Sequence, residues 1–344
     1  MITVYSEDHR LHDGLLQSDG DGWVPSVECP ARANNVATAV LDRNLGEIIA
    51  PRGYADDKLA SVHDADYVAF LSGAWDEWIA AGATGSNAKP FAFVASGMRH
   101  ADSRNIHSKL GRYSFDTDSP IVAGSWRAIR RSAETGLTGA DLVLEGEQFA
   151  FAACRPPGHH ASTALCGGYC YLNNTALAAQ SFIDAGMDRV AVLDVDYHHG
   201  NGTQSIFYER NDVLTISLHA DPAIEYPYFL GFADERGAGS GEGFNRNYPL
   251  PFGTGWNVYG DALDDAIARV RKFEPSAIVV ALGLDTFAGD PTTYFEILAR
   301  DYIAMGERIA TLSLPTLVVL EGGYAVDAIG ENTANFLEGI GNRL

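Results

Sequence analysis

The chain has 344 residues, 46% of them hydrophobic, with 24 basic and 45 acidic side chains and a formal net charge of −21. That balance excludes a nucleic-acid-binding surface, which needs clustered Lys and Arg, and it favours solubility while steering cations inward. No apolar run approaches the roughly 20 residues needed to span a bilayer, so no membrane partner is expected.

The opening MITVYSEDHR enters a strand-like run over 2–5 and lacks the basic and apolar segments of a signal peptide. A cytoplasmic protein with reduced cysteines is expected. Cys166 and Cys170 stand four apart, but no second pair exists to complete a structural zinc site. Residues 30–44 carry a helical pattern. Residues 82–120 have no clear period and hold several Gly, Ser and Asn. A long irregular stretch of this kind is read as an insertion with a functional or interaction role, not a domain boundary. Strand-like runs follow at FAFAAC (149–154), VAVLDV (190–195), VLTISL (213–218), AIVVALGL (277–284) and TLVVL (316–320). They are continuous and rich in β-branched residues, the pattern of parallel strands covered on both faces. Helical patterns separate them, at 174–186, which stops at Gly186, and at 256–273. In the second, Tyr259, Ala262, Leu263, Ala266, Ile267 and Val270 recur at spacings of three and four. The alternation predicts one domain over 1–344, a three-layer α/β/α sandwich with a mostly parallel central sheet.

Ligands of open α/β sheets bind beyond the carboxyl ends of the strands. There the run at 149–154 leads to His159 and His160. The run at 190–195 leads to Asp194, Asp196, His198 and His199. The run at 277–284 leads to Asp285, and the one at 316–320 to Glu321 and Tyr324. Singly, each has an ordinary structural reading: a bonded core histidine, a loop cap, a packed tyrosine. Jointly they point to a metal site. Asp196 and His198 are two apart, so an extended strand end would face them the same way. With Asp285 they supply two carboxylates and one imidazole, and three protein ligands with an open position suit catalytic zinc; Fe(II) also accepts mixed N/O ligands. Two anionic ligands blunt the metal's acidifying effect on water, so a separate base is expected, and His159–His160 is its source. Tyr324, after Gly322–Gly323, is placed to donate to a developing oxyanion. His199 faces away from its neighbours and is read as structural.

The motifs VHDADYV (62–68), RPPGHHA (155–161), GGYCYLNNTALAAQ (167–180), LDVDYHHGNGTQ (193–204), SLHAD (217–221), GLDTF (283–287) and LEGGY (320–324) cover most of the chain. In that order they resemble the zinc-dependent histone deacetylases of the arginase–deacetylase fold, and most of all the bacterial acetylpolyamine amidohydrolases. The resemblance implies one Zn²⁺ on Asp196, His198 and Asp285. It makes His160 general base and then acid, His159 its electrostatic partner, and Tyr324 the group that polarises the scissile carbonyl. Asp194 would hold His159 and Asn201 would hold His160; many relatives carry Asp in place of Asn201, so this second dyad should be less basic. Gly168 and Tyr169 would line the acyl channel. A monovalent cation, usually K⁺, would touch Asp194, Asp196, His198, Ser217 and Leu218. The insertion would build a homodimer interface that narrows the entrance. In that branch, acidic residues near the insertion receive the substrate's ammonium group. A gapped alignment puts His107 and Asp118 at those places, and His107 is not a reliable anion at neutral pH. A short acetylated diamine or another small acetylated amine fits as well as a long polycation. The alternatives are an acetyl-lysine protein deacetylase, a binuclear manganese ureohydrolase and a non-catalytic binder of acetylated amines.

Overall fold

The computed structural model describes residues 1–99 and 104–342. Part of the 82–120 stretch, residues 100–103, and the last two residues of the chain lie outside them.

Among the described residues ten strands form: β1 (Ile2–Val4), β2 (Leu16–Ser18), β3 (Trp23–Pro25), β4 (Glu47–Ile49), β5 (Phe149–Ala152), β6 (Val190–Asp194), β7 (Val213–Ala220), β8 (Asn245–Leu250), β9 (Ala277–Leu282) and β10 (Thr316–Leu320). β2 and β3 make a separate antiparallel hairpin. The other eight build one sheet in the order β4-β1-β5-β10-β9-β6-β7-β8, with every pair parallel.

Continuous apolar runs arise because both faces of this sheet are covered. Val190, Val192, Val279 and Val319 pack on one side with the helices Ser125–Leu144 and Asn174–Asp184. Ala191, Leu193, Val280 and Leu320 pack on the other with Trp256–Phe273, Asp301–Ala310 and Val326–Gly341. Alternating side chains therefore meet apolar layers in both directions, the three-layer α/β/α arrangement expected. The helix at 256–273 has the expected bounds, and the pattern at 30–44 becomes Ala31–Asp42.

The differences have local causes. The run at 277–284 ends as strand at Leu282 and that at 190–195 at Asp194, because the chain leaves the sheet there to form the site. β8, NRNYPL, is an edge strand of alternating burial, so its polar residues hid it. The stretch at 82–120 is not irregular throughout. Ile106–Arg112 is helical, and Lys109 Nζ reaches Glu77 Oε1 at 2.7 Å on the helix Ala65–Ala80. Ala88 bridges Ile121. Among the described residues no helix is long and apolar enough to cross a membrane.

Candidate active site

The four strands whose ends carry titratable residues are neighbours, β5-β10-β9-β6 at the middle of the sheet. Parallel pairing puts their carboxyl ends on one edge, so His159 and His160, Glu321 and Tyr324, Asp285, and Asp194 to His198 emerge together. Asp196 and His198 converge by a different route from strand alternation. β6 stops at Asp194, and residues 196–198 form a bend that folds both side chains inward. The ligand atoms of Asp196, His198 and Asp285 lie within 4.8 Å of one another. His198 Nδ1 is 3.0 Å from Asp285 Oδ2 and 3.5 Å from Asp196 Oδ1.

Backbone amides aim the carboxylates. Gly322 N–H donates to Asp196 Oδ2 (2.8 Å), His198 N–H to Asp196 Oδ1 (2.8 Å) and Tyr197 N–H to Asp285 Oδ1 (3.0 Å). The approach needs bare backbone: a Cβ on Gly283 would stand 2.1 Å from Asp196 Oδ2, and one on Gly322 2.3 Å from Asp285 Oδ2. Two fully buried carboxylates facing one imidazole demand positive charge. Burial, and then Asp196, push Asp285 up to about 7. Burial opposes charge on His198, yet Asp196 and Asp285 outweigh it and push the imidazole up to about 10. A divalent cation meets the same demand without protons, so this compact, backbone-aimed N/O donor set fits a metal.

The histidine pair is ordered from behind. His159 Nδ1–H donates to Asp194 Oδ2 at 3.0 Å, and Asp194 Oδ1 accepts from Asp196 N–H at 3.1 Å. Despite burial, Asp196 and Asp194 push His159 up to about 10. Asn201 Nδ2–H meets the His160 carbonyl at 3.5 Å, which turns Oδ1 toward the ring. That oxygen can only accept, so His160 Nδ1–H donates to it at 2.7 Å and Nε2 keeps its lone pair. Burial and the neighbouring His159, whose ring centroid is 4.0 Å away, hold His160 well below the usual imidazole range. It is a neutral acceptor at neutral pH. Glu321 Oε2 accepts from the N–H groups of Gly158 (2.6 Å) and His159 (3.1 Å), which pins the loop that presents both rings.

Tyr324 closes the opposite wall. Its N–H donates to Asp290 Oδ2 at 2.5 Å, and the Arg32 guanidinium lies 4.7 Å from its ring centre. Arg32 also donates to the carbonyls of Gly323 (2.5 Å) and Glu321 (2.6 Å), and its Nη1–H to Glu28, which Arg155 grips in turn. A fully buried ion network thus holds the turn behind the tyrosine.

Between these walls lies a cavity of about 180 Å³, with His160, His198, Gly168, Tyr169, Asp118 and Tyr324 on its lining. Asp116, Tyr226 and Thr292 line it too and were not found from sequence. Asp116 Oδ2 accepts from Gly168 N–H (2.7 Å) and Tyr226 Oη–H (2.6 Å), and so ties two walls together. Asp118, two residues on, was reached by alignment, which was the available signal. Tyr226 stands edge-on to His160, 5.1 Å between centroids. His107 is not on this lining. Its ring packs against Trp78 (5.0 Å) and Phe91 (5.4 Å), because its helix docks on Ala65–Ala80 instead of turning to the mouth. Asp194 and Ser217 flank a gap of about 10 Å³ behind the site, and Leu218 is fully buried beside it. His199 is structural, as read: Nε2 meets Gln204 Oε1 at 3.1 Å and the ring packs on His219. All four cysteines are free thiols.

Taken together, the parallel sheet and this histidine–phenol–carboxylate pocket are those of a hydrolase of carbon–nitrogen amide bonds, with a residue group that could hold a metal ion. The histone deacetylase domain matches residues 26–340, and the chain belongs to that family. It is 51% identical to acetylpolyamine amidohydrolase 1 of Pseudomonas aeruginosa, over 98% of both chains. It is 44% identical to the acetylpolyamine amidohydrolase of Mycoplana ramosa, over 99% of both. The crystal structure of an acetylpolyamine aminohydrolase from Burkholderia pseudomallei superposes with a TM-score of 0.94 at 37% identity, covering 100% of this chain and 99% of that one.

Proposed function

We propose that this chain removes the acetyl group from acetylated polyamines or other small acetylated amines, using one zinc ion held by Asp196, His198 and Asp285. The observation that carries this reading is the cavity of about 180 Å³, narrow and tyrosine-walled, that ends on His160, His198 and Tyr324. Relatives of that activity across nearly the whole length support it.

Zinc, when bound, would polarise the acetamide carbonyl and acidify the attacking water. The chain's own groups do the rest. Gly168, Tyr169 and Tyr226 confine the acyl-amine in an extended pose. His160 Nε2 takes a proton from water as its oxygen bonds the carbonyl carbon, while His159 and Asp194 hold that ring in place. Tyr324 Oη–H donates to the carbonyl oxygen as it turns negative. His160 then returns the proton to the amine nitrogen as the C–N bond breaks, leaving acetic acid and the amine, which part as acetate and ammonium once the acid's proton passes to the amine.

In the same reading Asp118 receives the far ammonium group. His107 could reach substrate only from a second copy, so its assigned role requires a homodimer built through 82–120. Asp194, Asp196, His198, Ser217 and Leu218 would hold K⁺ in or beside the gap under the site. Free thiols suit a cytoplasmic setting. The whole of 1–344 acts as one catalytic domain. A binuclear manganese ureohydrolase is less well supported. The other compact donor group among the described residues, His159, Cys170 and Glu321, is already bonded to Asp194, Thr175 and backbone amides.

Acetate release from acetylputrescine, acetylcadaverine and an acetyl-lysine peptide tests the substrate class. The small amines are expected to give kcat/KM at least about tenfold above the peptide, a difference of about 1.4 kcal/mol in transition-state binding. A peptide that outpaces both would replace this reading with the protein deacetylase.

A further inference from the structure

At the other end of the sheet, where β6, β7 and β8 begin, lies a second cavity of about 510 Å³. Arg189, Arg236, Arg246, Arg269 and Lys272 line it, with Phe244 and Phe273. Five of the chain's 24 basic residues thus meet in one hollow of a protein whose net charge is −21. Two are partly engaged: Arg189 donates to the Phe273 carbonyl at 2.6 Å and lies 3.8 Å from Glu274, and Arg269 pairs with Asp265 at 2.9 Å. Among the described residues no carboxylate stands within ion-pair distance of Arg236, Arg246 or Lys272. Arg246 lies over the Tyr248 ring at 5.0 Å, and its Nε is buried without a hydrogen-bond partner.

Like charges gathered in a concave, partly apolar hollow repel one another and focus a positive potential outward. With 45 acidic side chains available, local pairing would be the ordinary solution, and for Arg236, Arg246 and Lys272 it is not used. The volume suits a small molecule, since ligand pockets run to roughly 300–1,000 Å³. Guanidinium forks match phosphate oxygens two at a time. Phe244 and Phe273, 5.7 Å between ring centres, add an apolar wall. A long polyanion is disfavoured, because the net charge of −21 would repel it.

We propose that this cavity binds a small, multiply charged phosphate compound, either a free polyphosphate or a nucleoside polyphosphate. The site is separate from the catalytic edge and does not depend on the reaction assigned there.

Isothermal titration of the metal-loaded full chain with inorganic triphosphate, and separately with ATP, is the test. One-to-one binding near physiological salt is expected. Arg236 and Lys272 are exposed, so the double variant R236A/K272A should keep its fold, checked by its melting curve. It should weaken binding by about 100-fold, the loss of two charge-assisted contacts, and flatten the salt dependence. R127A, which removes an exposed cation elsewhere, should leave binding unchanged. Tighter binding of ATP identifies the nucleoside compound, and equal binding the phosphate chain alone. Absence of binding, binding indifferent to the double variant, or binding of heparin but neither small probe overturns the proposal.

Discussion

Replacing His160 by Ala is expected to lower kcat by about 10³–10⁴-fold, the upper part of the range for general acid–base catalysis. The upper part applies because, in the proposed mechanism, one nitrogen serves twice, taking a proton before C–N cleavage and returning it during cleavage. The structure makes that double use feasible. The Asn201 carbonyl oxygen fixes the proton on Nδ1 (2.7 Å), so Nε2 is the free nitrogen, and His160 lines the cavity where the amide would lie. The Asp196, His198 and Asp285 donors do not touch the Asn201 contact, so metal content should stay at the wild-type level. Steady-state acetate release with elemental analysis of the same preparation checks both. A variant that retains a tenth of the wild-type rate would move the base to His159 or elsewhere.

Replacing Tyr324 by Phe is expected to cost about 10²–10³-fold in kcat with little change in KM, because a single oxyanion donor acts only as charge develops. The ring would stay in place. Its backbone is pinned by Asp290, its face is covered by Arg32, and Tyr169 stands edge-on at 5.4 Å. The phenol is buried, and burial holds its proton well above the usual tyrosine range, so it acts as a donor across the working pH range. A tenfold rise in KM with unchanged kcat would instead make Tyr324 a substrate-binding wall.

Much of this site could be read in the linear chain because parallel strands covered on both faces leave an unmistakable trace. Val190–Asp194 and Ala277–Leu282 are apolar until their last turn of chain, so Asp194 and Asp285 stand out against them. The sequence could not show that four such strands are adjacent, nor that a bend at 196–198, instead of strand alternation, brings Asp196 and His198 together. What stayed hidden comes from pairs remote along the chain. Arg32 bonds the Glu321 carbonyl 289 positions away, and Tyr226 bonds Asp116 across 110. Nothing local in IEYPYF or FDTD announces such a meeting. The longest helix, Ser125–Leu144, escaped notice because its buried face carries Ser132, Glu134, Thr135 and Thr138 in place of an apolar stripe. His107 shows the opposite case: aligned position suggested a role at the mouth, while its ring packs on Trp78, off the cavity lining of its own chain.

The most direct test of the whole account is acetate release from acetylputrescine by one preparation measured before chelation, after chelation and dialysis, and after adding back zinc. Activity should vanish with the metal and return at one zinc per chain. Full activity in metal-free protein, or recovery only at two manganese per chain, would contradict it.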